Sequence, residues 1–142
     1  MRIPREIYNY INFELLHYEE YKKQLEFERE RILESSPAID GQPRGTEISN
    51  SAQQKAIKLT DSMTIMYLER TIRSIDKALI SLTNTHKELF DKWYIKGRKD
   101  LYSMCDELGI SDRTFYRYRK EIIMLTGKEL GLLKNLAETW QE

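Results

Sequence analysis

Along almost the whole chain, hydrophobic positions recur three and four residues apart. That is the spacing of one helical face and not the alternation of a strand. Pro4 stands where a proline opens a helix, and the pattern then runs to about Glu34. Ile11, Leu15, Tyr18, Leu25 and Ile32 share one stripe, with Lys22 and Arg29 in its gaps. The other face carries Glu14, Glu19, Glu20, Glu26, Glu28 and Glu30, the pattern of a solvated surface. Tyr8, Tyr10 and Tyr21 read as packing area. Residues 35–51, SSPAIDGQPRGTEISNS, carry the prolines, glycines and small polar residues of a loop. Asn50 or Ser51 could cap a helix starting near Ala52, with an interruption or a new cap at Thr60 and Asp61. Ile65, Leu68, Ile72, Ile75, Leu79 and Leu82 follow at alternating steps of three and four, a heptad seam shorter than three heptads. It suits equally a hairpin folded against the first helix and a homodimer joined through the seam.

After a break at Thr83, Asn84 and Thr85, a short helix contains Leu89, Phe90 and Trp93 and ends at Tyr94 and Ile95. Lys96, Gly97, Arg98 and Lys99 form a turn. The next stretch, DLYSMCDELGISDRTFYRYRK from Asp100 to Lys120, predicts a helix, a tight turn and a second helix. Leu101, Met104, Cys105 and Leu108 form the inner face of the first helix, which Asp100 would cap. Gly109 suits the left-handed conformation that ends many helices, Ile110 plugs the corner, and Ser111 caps the second helix. Phe115, Tyr118 and Ile122 form the buried stripe of that second helix, leaving Arg113, Tyr116, Arg117 and Lys120 outward. The helix is expected to end near Gly127. A further helix from Glu129 to Trp140 would place Leu130, Leu133, Leu136, Ala137 and Trp140 on one side.

The expected fold is therefore all-α. A helical region over residues 1–84 contains a long hairpin and the loop at about 35–51, and residues 85–142 form a helix-turn-helix domain. Twenty-three basic residues balance twenty-three acidic ones, so any argument for nucleic-acid binding rests on where the charges lie. They gather around the motif. Arg113, Tyr116 and Arg117, with Asp112 at the helix start, occupy positions that meet base edges when such a motif enters a major groove. Lys96, Arg98, Lys99, Arg119 and Lys120 stand where the phosphates would run. Double-stranded DNA is the expected partner, although a purely structural helical pair is the plainer use of such a hairpin. His17 and His86 lie far apart, the one cysteine is expected in the core, and no glycine-rich phosphate loop follows a strand. No enzyme activity, metal or cofactor is expected. Apolar runs are too short to span a membrane, MRIPREIYNY lacks a signal core, and a single cysteine suits a reducing cytoplasm.

The segment WYIKGRKDLYSMCDELGISDRTFYRYRKEI resembles the fourth-region helix-turn-helix of bacterial sigma factors and related regulators. The layout of the longer chain is similar to phage transcriptional regulators of the RinA and ArpU type. The shared features are a tyrosine-rich first helix, the Pro/Gly loop, SNSAQQKAIKLTD, the heptad helix and the terminal motif. That resemblance implies an activator of late packaging or morphogenesis genes in a bacterial host, with Asp112, Arg113, Tyr116 and Arg117 reading DNA and RNA polymerase as a further partner. Two other functions fit the same elements: a small terminase-like DNA-packaging protein, and a helical protein-interaction scaffold.

Overall fold

A computed structural model describes residues 2–34 and 47–133. Residues 35–46 of the expected loop and 134–140 of the expected last helix lie outside them. The described residues are all-α: α1 (Arg5–Leu16), α2 (Tyr18–Glu34), α3 (Glu47–Ile80), α4 (Asn84–Phe90), α5 (Leu101–Leu108) and α6 (Asp112–Glu129). A single π-helical turn, Asp91–Ile95, continues α4.

The first expected helix is divided at His17. Its backbone N–H is shared between the Phe13 and Glu14 carbonyls, each at 3.2 Å, while the His17 ring nitrogen Nδ1 lies 2.7 Å from the Phe13 carbonyl. The stripe holds across this break, with Ile11, Leu15, Tyr18 and Leu25 all buried, but Ile32 at its far end is 39% exposed. Glu14 departs from the solvated acidic face expected of it. It is 2% exposed and accepts a hydrogen bond of 2.7 Å from the Tyr67 hydroxyl. The reason is positional, because offsets of three from Ile11 and four to Tyr18 put it on the apolar stripe.

Helix α3 begins at Glu47, before the expected start, and runs unbroken through Thr60 and Asp61. Thr60 and Thr64 turn their hydroxyls back onto the carbonyls of Ala56 and Thr60, at 2.9 and 3.0 Å. That satisfies them within the helix and removes any need for a break. At 1.5 Å per residue the helix is about 50 Å long. α2 lies antiparallel along it, pinned by Tyr18 with Asp76, Arg29 with Glu69 and Arg31 with Asp61. The heptad seam packs inside the chain: Leu68 and Ile75 are buried, and Ile72, Leu79 and Leu82 lie against the core. A homodimer through these side chains would first have to unpack that core.

One cluster gathers Ile11, Leu15, Tyr18, Ile75, Leu89, Phe90, Tyr94, Met104, Cys105, Phe115, Ile122, Ile123 and Leu133. It draws on every helix, so α6 is seated on α1, α3 and α4 together. α6 ends at Glu129, close to the expected end near Gly127, and Gly127 itself lies within its last turn. A side-chain carbon added at Gly127 would sit 2.6 Å from Leu133 and 2.7 Å from Ile11, so the glycine permits a close approach inside the core. Just beyond Glu129, Gly131, whose φ is 80°, closes the helix end, with Gly131 N–H bonded to the Lys128 carbonyl and Leu132 N–H to that of Gly127. Glu129 is the last residue of α6, so no new helix starts there.

Candidate nucleic-acid interface

Helices α5 and α6 meet at a three-residue turn built as the residue types predict. Gly109 adopts φ 68° and ψ 34°. Its N–H bonds the Asp106 carbonyl and the Ile110 N–H bonds that of Cys105, the paired closure of a left-handed helix end. The Ser111 hydroxyl accepts from the Thr114 N–H at 3.1 Å, and Asp112 accepts from the Arg113 N–H at 2.9 Å. Asp100 behaves differently. It stands at the start of α5 but makes no capping hydrogen bond with its side chain, because the carboxylate is bound to Arg98.

From Ser111 onward the two sides of α6 diverge. Phe115, Ile122 and Ile123 have no exposure, and Phe115 packs edge-on to Trp93 with ring centroids 5.0 Å apart. Asp112, Arg113, Tyr116 and Arg117 are all exposed, Tyr116 by 55%. Arg117 lies 3.8 Å from Glu121 through Nε and 5.5 Å from the Tyr118 ring centre. Tyr118 itself is half-buried and stacks on the His86 ring at 3.9 Å.

The outlying basic residues fall into two groups. Lys96 and Lys99 are exposed beside α5, Lys96 paired with Asp91 at 3.2 Å and Lys99 held 4.5 Å above the Trp93 ring. Lys120 is exposed on α6. Arg98, in contrast, is bound by Asp100 at 2.5 Å and Glu107 at 2.7 Å, and Lys92 reaches the same Glu107 at 3.1 Å. The hydrogen bond from Arg98 holds Asp100 at a pKa of about 2, and hydrogen bonds from Arg98 and Lys92 do the same for Glu107. Arg119 turns inward. Its guanidinium donates to the Tyr94 hydroxyl at 3.3 Å and to Asn12 at 3.2 Å, and lies 5.4 Å from the Trp93 ring centre. Burial pushes the Tyr94 phenol up to about 12 against the opposing pull of Arg119.

Two residues went unnoticed in the sequence reading of this face. Glu121 sits at four residues from Arg117, the ordinary signal for a helical ion pair. His86 lies 2.6 Å from Glu121 and is 5% exposed; no local pattern marks it, since its partner is thirty-five positions away.

Comparison with known proteins bears on the whole chain. Over most of its length it is similar to a phage activator. The match is the transcriptional activator rinA of Staphylococcus phage phi11, 26% identical over 121 residues, covering 83% of this chain and 86% of that protein. The similarity to rinA agrees with the resemblance drawn from the sequence layout. Neither a family model nor a solved structure matches the chain. Among the described residues, no helix is long and apolar enough to cross a membrane.

Proposed function

We propose that this protein is a sequence-specific DNA-binding regulator of transcription, acting as an activator of phage late genes for packaging or morphogenesis. The observation that carries the reading is the two-sided character of α6. Asp112, Arg113, Tyr116 and Arg117 are exposed on its first turns while its other side is locked into the core. A helix so anchored can enter a major groove as a rigid body with its α5 partner crossing the backbone, the docking of a helix-turn-helix. Arg113 and Arg117 supply forked donors suited to the N7 and O6 of guanine, and Tyr116 can meet a thymine methyl. Asp112 can accept from a cytosine amino group, in competition with its bond to the Arg113 N–H.

Lys96, Lys99 and Lys120 take the phosphate role in this reading. Arg98 is neutralised by two carboxylates that would repel a phosphate, and Arg119 serves the seating of α6 on α1. Both therefore act through the geometry they hold. The similarity to rinA supports the transcriptional role, and an activator implies RNA polymerase as a second partner.

The test is a gel-shift series comparing promoter-bearing fragments of the source genome with scrambled duplexes at moderate salt. Preferential retention of a subset of fragments is expected. Equal affinity for all of them would remove the sequence-reading claim.

A further inference from the structure

Arg117 is held on one side only, and the carboxylate that holds it is anchored to a buried histidine. Its Nε is 3.8 Å from Glu121 Oε1, close enough for attraction and too far for a hydrogen bond. The other carboxylate oxygen, Oε2, lies 2.6 Å from His86 Nε2. A carboxylate can only accept, so Nε2 carries a hydrogen and donates it. The ring is fixed in turn by Thr83, whose hydroxyl lies 2.6 Å from Nδ1 and also accepts from the His86 backbone N–H at 3.4 Å. Tyr118 closes the group. It stacks on His86 at 3.9 Å and presents its ring to the Arg117 guanidinium at 5.5 Å.

We propose that Glu121, buttressed by His86, is a specificity-determining residue of the α6 face that sets the direction of Arg117 and holds it back from non-cognate phosphates. The inference rests on the DNA-binding reading above. Its physical content is a balance. A guanidinium bonded tightly to a carboxylate would have few N–H groups to offer, whereas an unrestrained one would seek the nearest phosphate on any sequence. At 3.8 Å the carboxylate biases the side chain without consuming its donors. A phosphate alone gains little by pulling Arg117 away, while a guanine edge that takes both forks compensates for the loss. The buttress matters because an exposed glutamate on a helix otherwise samples several rotamers and orients nothing.

Selection from a pool of duplexes randomised at their centres, using the full chain, reads the effect position by position. Glu121→Gln keeps an acceptor for His86 and removes the charge. It is expected to bind random duplex about threefold more tightly and to lose about tenfold of base discrimination at the single position that Arg117→Ala also relaxes. In the Arg117→Ala background, Glu121→Gln should leave that position unchanged, because the restrained side chain is gone. His86→Leu, which has no N–H to give the Glu121 carboxylate, withdraws the buttress and leaves the charge; it should weaken discrimination at the same position and serves as the second route if Glu121→Gln folds poorly. If the wild-type protein selects a sequence and Arg117→Ala relaxes one position, but both other variants keep wild-type preferences, this inference is overturned and the DNA-binding reading stands. If the wild-type protein selects nothing, the DNA-binding reading itself fails.

Discussion

Phe115 and Tyr116 are neighbours in the chain, yet the first has no exposure and the second 55%. The hundred-degree step between adjacent helical residues makes this division, and it was legible without coordinates because Phe115 and Ile122 share a spacing that Tyr116 does not. The same arithmetic places Arg119 inward. It follows Phe115 by four and precedes Ile122 by three, so counting charge alone overlooks its place beside Tyr94 and Asn12. Arg98 could not be read this way, since Glu107, which also takes Lys92, reaches it only once α5 has folded back beside the π-helical turn. Two outcomes follow at this scale. Lys99→Ala should weaken binding to all duplexes alike and reduce the slope of log affinity against log salt by about one, as loss of a single phosphate contact does. Asp100 and Glu107 both have folded-state pKa values lowered to about 2 by Arg98. A lowered value means their contribution is present above the ordinary carboxylate range, about pH 4, and is lost as pH falls toward 2. Arg98→Ala should therefore be less stable than wild type at neutral pH, with a difference that shrinks between about pH 4 and 2 in an acid titration followed by circular dichroism.

Elements begin and end where side chains settle the backbone. Gly109 and Ser111 delimit α5 and α6 as their residue types predict, because a left-handed closure and an oxygen cap are strictly local devices. Gly127 marks the end of α6 only approximately, for a physical reason. A glycine near a helix end reads as the stop itself, but here it lies buried inside the last turn of α6 and its missing side chain makes room for Leu133 and Ile11. Long-range packing of that kind has no signature within a window of residues. The continuous course of α3 through Thr60 was likewise hidden, since back-bonding of a threonine to the preceding turn is equally available in a cap and in a helix. Gly127→Ala should cost about 1–3 kcal/mol in denaturant unfolding, because Leu133 and Ile11 must be displaced within a filled core. Ser111→Ala should cost about 1 kcal/mol, the value of one lost cap.

At the level of the whole molecule, α1 and α6 share one core. Ile11 and Leu15 meet the same cluster as Phe115, Ile122 and Leu133, and Asn12 accepts hydrogen bonds from Tyr94 and Arg119. The heptad seam is used within that core. Its periodicity announced a packed face in the sequence without naming what packs there, since an inner partner and a second copy ask for the same residues. Ile11→Ala should therefore lower stability by about 2–5 kcal/mol and should loosen α6 together with α1 in one unfolding transition seen by both near- and far-ultraviolet circular dichroism. The function placed on this frame depends on one surface. Titrating the isotopically labelled full chain with its best-selected duplex, and following backbone amide shifts, tests that surface most directly. The account predicts the largest changes over 112–117, with smaller ones at 96–99 and almost none along the outer half of α3. Changes confined to α2 and α3, with 112–117 undisturbed at saturation, would contradict it.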